Sequence, residues 1–536
     1  MLDLGKTFLQ SAERSPHALA VIDGDVRWTY GQWALRIGAL QRTLFELGLR
    51  HGDHVVSVLQ NRHEAATLHW ACQFAGLVMT PLNWRAKPDE VQYALQDSTA
   101  KLLVYEDVSS AAVQPALTGL EPLLAMRVGQ EAQDSVVESP TVMDFSDALR
   151  NLAEPVPQAQ AEDWSLMLYT SGTTGLPKGV PRRHRVERMA ALAHVAQNQY
   201  RRGECTLGVM PIYHTMGVRS LLALALVDGC FICMPKFDAA QALHWIETGG
   251  VSHLYLVPTL YHDLLAHPRF SQTDVTSVRR LGFAGAPMHD ALLLRLQEAF
   301  KPELFVNHYG SSEIYTFSIN ADAVGKPGSA GRAGVNTRLR VVKLEAESPS
   351  DVAMPMEEGQ IIADLDSEEA FEGYHNRPDA NAKSLRGGWY FTGDTGYMDA
   401  EGDLFVTGRV DDMIISGGEN ISPVDIESVL SLHPAVDEVA VAGLQDERWG
   451  QRVVAFVKRK CAVDNNQLDA HCRESDLVNF KRPREYVFVE EIPKSPVGKV
   501  LRRKLVAGDY SAESGAASPE GQSESTPTQV PPIPPF

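Results

Sequence analysis

Two periods of apolar and polar residues alternate along the first four hundred positions. Residues 54–60 (HVVSVLQ) and 102–106 (LLVYE) are short apolar, β-branched runs that predict strands. Between them, the segment after Glu64 predicts an amphipathic helix. Strand and helix signals in alternation predict α/β layers. Residues 130–162 are polar and proline-containing and read as a surface connection. The pattern breaks at Gly408-Arg409-Val410-Asp411-Asp412 and then restarts as a smaller unit: a strand (MIIS), a Gly-Gly turn, a helix from Pro423, and the strands EVAVAGL and VVAFVKR. The expected architecture is a large N-terminal domain of layered α/β subdomains over 1–410 and a small α+β domain over 411–506. Residues 507–536, without Lys or Arg and rich in Ser, Pro, Gly and Glu, are expected to form a disordered tail.

Length supports the division, because single cores stop growing at about 250–300 residues and this chain has 536. A net charge of -19 argues against general attraction to nucleic acid or to anionic membrane, so any anion has to be held by a local site. The N-terminus lacks the pattern of a secretory signal, and the longest apolar stretch, 221–227, is too short to cross a bilayer. A cytoplasmic protein without membrane or nucleic-acid partners is expected; a homodimer is left open. Six scattered cysteines, with Cys230 and Cys233 the close pair in an apolar run, read as buried free thiols, since a CxxC metal site needs a second ligand pair.

Candidate chemistry is concentrated in LYTSGTTGLPKG (168–179), placed after an apolar strand and before a basic, helical stretch. Its glycines let backbone N–H groups approach an anion, the hydroxyls of Thr170, Ser171, Thr173 and Thr174 add donors, and Lys178 adds charge, as a polyphosphate requires. Because Lys178 precedes Gly179 and the glycine spacing differs, this is not the GxxxxGK[ST] cradle.

At this loop the chain resembles the adenylate-forming superfamily of acyl-CoA ligases, peptide-synthetase adenylation domains and beetle luciferases. Further matching elements follow in order: NHYGSSE (307–313), WYFTGD (389–394), GRVDD (408–412) with SGGENI (416–421), and PKSPVGK (493–499). The likeness spans about residues 1–505. It implies an ATP/AMP site made by Thr170, Ser171, Gly172, Thr173, Thr174, Gly175, Lys178, Gly285, Ala286, Tyr309, Gly310, Ser311 and Ser312. In it Tyr309 faces adenine, Ser312 meets the α-phosphate, and Asp394, supported by Arg409, takes the ribose hydroxyls. Glu313 is the implied Mg²⁺ ligand, a hard oxygen donor for a hard cation. Lys499 is the implied adenylation lysine, set between the acid's carboxylate and the α-phosphate.

The family makes an acyl-adenylate and then a thioester by rotating its small domain, so that domain is expected to be mobile about a hinge at Asp411. In the second pose Gly417 and Gly418 would leave a thiol's path clear. Trp449, Phe480, Arg482 and Arg484 are the coenzyme A candidates, and their segments resemble those of bacterial halobenzoate:CoA ligases. The acid pocket implied is His214, Thr215, Met216, Tyr255, Ala284, His308, Gly310 and Tyr315, with His214 at its mouth. Tyr255, His308 and Tyr315 point to a polar ring such as benzoate bearing a hydroxyl, or furoate, since unpaired pocket donors penalise plain apolar rings. The expectation is an ATP-, Mg²⁺- and CoA-dependent carboxylate ligase acting on a small aromatic or heteroaromatic acid. The alternatives are a medium-chain fatty acyl-CoA synthetase and a stand-alone adenylation enzyme that loads a carrier protein.

Overall fold

The computed structural model describes residues 2–118, 120, 123–129, 142–170, 177–494 and 500–513. The chain divides into two compact units, one running to Met413 and the other starting at Ile414, three residues beyond the boundary expected from the sequence.

In the first unit, strands Cys205–Gly208, Cys230–Cys233, His253–Leu256, Arg280–Phe283 and Leu304–Tyr309 pair in parallel, linked in chain order by helices Thr215–Leu226, Ala239–Thr248, Pro258–Ala266 and Asp290–Phe300. The first four are buried at every position, as strands covered by helices on both faces must be. After Tyr309 the sheet turns antiparallel and continues through Ser318–Asn320, Ser329–Ala333, Leu404–Arg409 and Trp389–Met398. This change of pairing brings the motif at 309–313 and the motif at 389–394 to one place.

A second sheet orders Val142–Asp144, Leu124–Val128, Leu102–Glu106, His54–Val58, Val78–Leu82, Trp164–Thr170 and Lys178–Arg183. Two local expectations change here. The helix His63–Ala75 is not amphipathic: it is buried continuously from Ala65, packed with Phe8, Trp33 and other apolar side chains, so His69 and Gln73 are interior polar residues. The glycine-rich loop does not lead into a helix but closes a hairpin, with Thr170 opposite Lys178 and Tyr169 opposite Gly179; the helix begins only at His184. The returning strand lies at the sheet edge, where Pro181 forfeits no ladder bond that the sheet needs.

The second unit is a sheet of Glu419–Ile421, Ile414–Ser416, Gly450–Arg459, Val436–Asp446 and Glu485–Phe488, with helices Pro423–Ser431 and Asn465–Glu474. Residues 507–513, expected to belong to a disordered tail, are instead part of it. Tyr510 packs on Phe456 at 5.1 Å, Glu513 pairs with Arg459 at 2.7 Å, and the Glu513 N–H donates to the Phe488 carbonyl. An aromatic contact, the ion pairs of Glu513 with Arg459 and of Asp509 with Lys504, and backbone bonds to Phe488 and Glu490 hold seven residues that composition grouped with the rest. Residues 514–536 lie outside the described residues.

Candidate active site

Adjacent strands set the first part of the site. Asp394 on Trp389–Met398 lies opposite Arg409 on Leu404–Arg409, and the Arg409 guanidinium donates to its carboxylate at 2.7 Å. Tyr309, the last residue of Leu304–Tyr309, donates its hydroxyl to the other Asp394 oxygen at 2.5 Å. Burial pulls Arg409 toward neutrality, but Asp394 outweighs it and holds the guanidinium above its ordinary pKa. The Tyr309 phenol is raised by burial and then by the Asp394 charge, so it remains a donor.

The turn after Tyr309 is bound by its own backbone. A Cβ on Gly310 would meet the Tyr315 carbonyl at 2.1 Å, so the close approach requires glycine. The Ser311 N–H donates to the Ile314 carbonyl, and the Ser311 hydroxyl accepts from the Glu313 N–H at 3.2 Å. Buried Arg182, paired with Glu187 at 2.7 Å, donates to the carbonyls of Ser312 and Glu313 from below. Glu313, 6% exposed, accepts at Oε1 from the Tyr374 hydroxyl at 2.7 Å, and the Lys178 ammonium lies 4.1 Å from the centre of the same Tyr374 ring. Burial lowers the Lys178 pKa, and Glu313 opposes the shift. Tyr374 thus touches the cation of the glycine-rich loop with its face and the acidic residue of the turn with its hydroxyl.

His214 caps the helix Thr215–Leu226, accepting at Nδ1 from the Met216 N–H at 3.4 Å. The loop before it is held by Asn61, whose amide donates to the carbonyls of Gly208 and Met210 and accepts from the Ile212 N–H. The helix presents Thr215 to Ser312, with hydroxyls 3.1 Å apart, and Met216 to the space beside Gly285. Ala284 is buried, and Ala286 is half-buried beyond Gly285. One turn on, Arg219 is 2% exposed and donates to the Tyr315 carbonyl, the Thr316 hydroxyl and the Tyr255 hydroxyl. The Tyr315 hydroxyl donates to Glu187 at 3.1 Å, and His308 meets Asn198 through Nε2. Burial, and then the charge of Arg219, keep His308 neutral.

In the second unit Gly417 and Gly418 form the turn between Ile414–Ser416 and Glu419–Ile421, both at positive φ. The Gly417 N–H donates to the Trp449 carbonyl, and a Cβ on Gly417 would come within 2.8 Å of the Trp449 indole. Trp449 is 46% exposed, Arg448 lies over its ring at 4.8 Å, and Phe480 is also exposed. Arg482 pairs with Asp469 at 3.0 Å, whereas Arg484 is exposed and has no ion pair among the described residues. Asp411 lies exposed in the short turn Val410–Asp412 of the first unit.

The profile of the AMP-binding enzyme family matches residues 8–375, and that of the AMP-binding enzyme C-terminal domain matches residues 425–499. The chain belongs to the AMP-binding enzyme family. Its similarity to a 4-chlorobenzoate–CoA ligase of Arthrobacter sp is 35% identity over 506 residues, 92% of this chain and 93% of that one. A long-chain-fatty-acid–CoA ligase of Mycobacterium tuberculosis is 32% identical over 513 residues, covering 94% and 98%. The crystal structure of an anthranilate CoA ligase in complex with anthranoyl-AMP superposes with a TM-score of 0.85 at 27% identity, covering 95% of this chain and 97% of that one. This member of the family is an acyl-CoA ligase, an enzyme of the α/β architecture described above.

Of the residues the motifs singled out in this AMP-binding enzyme, Tyr309, Asp394 and Arg409 form one bonded group, and Lys178 and Glu313 share Tyr374. Thr170 ends its strand facing Lys178. Ser171, Gly172, Thr173, Thr174, Gly175 and Lys499 lie outside the described residues. Sequence reasoning missed Tyr374, Asn61 and Arg219. Arg219 carried a signal, the single charge in the apolar helix TMGVRSLLALAL; Tyr374 and Asn61 carried none that their neighbours distinguish.

Proposed function

We propose that this acyl-CoA ligase joins a small aromatic or heteroaromatic acid to coenzyme A through an acyl-adenylate, using ATP and Mg²⁺. The bonded group of Tyr309, Asp394 and Arg409 is the observation that carries the nucleotide half: a carboxylate fixed on both oxygens, each with a lone pair left for a ribose hydroxyl. Glu313 suits Mg²⁺, since it offers carboxylate oxygens and a neighbour, Tyr374, that orients them without occupying every lone pair. When bound there, the ion supplies positive charge to the polyphosphate. Lys178 binds the same phosphates, and Lys499 carries the charge that stabilises the adenylation step. His214, at the start of its helix, stands at the acid's entrance. Trp449, Phe480, Arg482 and Arg484 receive coenzyme A, and Asp411 is the hinge between the two half-reactions.

The polar side chains Tyr255, His308 and Tyr315 assigned to the acid pocket, together with the 4-chlorobenzoate and anthranilate ligases among the similar proteins, support a ring acid. The similar fatty-acid ligase of Mycobacterium tuberculosis supports the alternative of an aliphatic acid. Pyrophosphate release and thioester formation across hydroxybenzoates, furoate, chlorobenzoate and medium-chain fatty acids, with and without coenzyme A, test the proposal. Preference for the fatty acids would refute the ring reading, and adenylation without thioester formation would refute coenzyme A as acceptor.

A further inference from the structure

Bonded to two residues of the proposed acid site is a buried guanidinium that the proposed half-reactions do not use. Arg219 has no carboxylate within 4.0 Å among the described residues, although a buried cation is costly unless it is paired. Its Nη atoms are spent on Tyr315, Thr316 and Tyr255, and its buried Nε has no hydrogen-bond partner. The Nδ1 of His308 is a second buried nitrogen without a partner. Both side chains meet at Tyr255: its ring lies 5.3 Å from the Arg219 guanidinium carbon and 5.3 Å from the His308 ring centre. Two orphaned nitrogens on side chains that share one tyrosine as neighbour need an explanation, because buried polar atoms are usually bonded.

Charge narrows what they await. Arg182 is matched by Glu187, and Arg219 reaches Glu369 through Thr316, which accepts from Arg219 and bears on the Glu369 carboxylate. Two guanidinium groups and two carboxylates leave the buried group balanced, so a ligand that brought a further negative charge would unbalance it.

Building on the acid site proposed above, we infer that Arg219 is a specificity-determining residue that selects ring acids carrying an uncharged hydrogen-bond acceptor, such as a ring oxygen or a hydroxyl. The guanidinium gives the acceptor a charge-assisted bond, and acids without one leave Nε unpaired. Its place on Thr215–Leu226, one turn beyond Met216, puts it on the face of the helix that meets Ser312, Gly285 and Tyr255.

The test is kcat/KM of the full-length enzyme for furoate and the hydroxybenzoates against benzoate and isophthalate, with wild type and with Arg219→Met and Arg219→Lys. Wild type is expected to favour the uncharged-acceptor acids over both benzoate and the dianion about 10- to 100-fold. In Arg219→Met the ratio to benzoate should fall to within about threefold of unity, with Arg219→Lys in between. Equal use of acceptor acids and benzoate by wild type would overturn the inference, and so would preference for isophthalate or an unchanged ratio in a folded Arg219→Met. If melting curves show that the variants do not fold, the wild-type comparison decides alone. A wild type that turns over fatty acids and no ring acid would instead remove the ring-acid reading, and this inference with it.

Discussion

Replacing Tyr374 by Phe deletes one hydroxyl and keeps the ring, which separates its two contacts. The lost bond is a 2.7 Å donation to the carboxylate of Glu313, and bonds to charged groups contribute about 1.5–3 kcal/mol. If half or more of that energy serves to aim the carboxylate at Mg²⁺, the half-saturating Mg²⁺ concentration for pyrophosphate release should rise about 10-fold, within the 10–100-fold range of outer-shell substitutions at metal sites. The Lys178 contact at 4.1 Å should survive in Tyr374→Phe and vanish in Tyr374→Leu, which adds about 0.5–2 kcal/mol to the loss and appears as weaker ATP binding. Mg²⁺ titrations at saturating ATP, paired with Mn²⁺ binding followed by electron paramagnetic resonance, measure the first effect, and ATP titrations at saturating metal the second. Tyr374→Phe with wild-type Mg²⁺ dependence, or indistinguishable Phe and Leu variants, would refute the reasoning.

Lys499→Ala should abolish acyl-adenylate formation while sparing thiolysis of supplied acyl-adenylate; equal loss of both half-reactions would reject the assigned role. Acid should destabilise the first unit through His54, His69 and His184, whose burial lowers their pKa values to about 4, about 3 and about 4. Folded values below the unfolded 6.5 mean that the unfolded chain binds the extra protons, so stability present above pH 6.5 is lost as pH falls toward 4, at up to about 1.4 kcal/mol per pH unit for each histidine. A melting temperature that stays flat from pH 7 to 4.5 would contradict this. Truncation after Glu513 should leave kcat/KM within about twofold, whereas truncation after Val506, which removes the Tyr510 and Glu513 contacts, should cost about 1–3 kcal/mol and at least about 4 °C in melting of the second unit. Equal melting of the two truncations would show that those contacts contribute nothing.

Much of the fold was legible because its strands are short apolar runs that helices cover on both faces: Leu102–Glu106 was read to the residue, and after Asp412 the strand, the Gly-Gly turn and the helix from Pro423 hold, with an additional strand, Glu419–Ile421, between turn and helix. The failures have local causes. Lys178–Arg183 contains a proline and three cations, and only its place at the sheet edge makes it a strand. At 507–513 side-chain contacts of Tyr510, Asp509 and Glu513, with backbone bonds to Phe488 and Glu490, offset the ordering cost that a thirty-residue average assigned to the whole tail. In the site, residues within compact motifs were readable, but Tyr374 is 61 positions from Glu313, and Arg219 is 96 from Tyr315. Such pairs exist only once the sheet has turned antiparallel after Tyr309, which no spacing in the chain records.

The contact of Gly417 with Trp449 makes the two positions a single thermodynamic unit. A methyl group at 417 collides with the indole before it can narrow any path for a thiol, and the indole is held at its backbone by the Gly417 N–H. Under the proposed coenzyme A roles of Gly417 and Trp449, lost thioester formation in Gly417→Ala would therefore sum a displaced aromatic platform and an obstructed route, and that variant alone does not separate the two. With Trp449 already truncated, the collision is gone and the same methyl should cost less, so the coupling energy of the double-mutant cycle measures the displacement by itself.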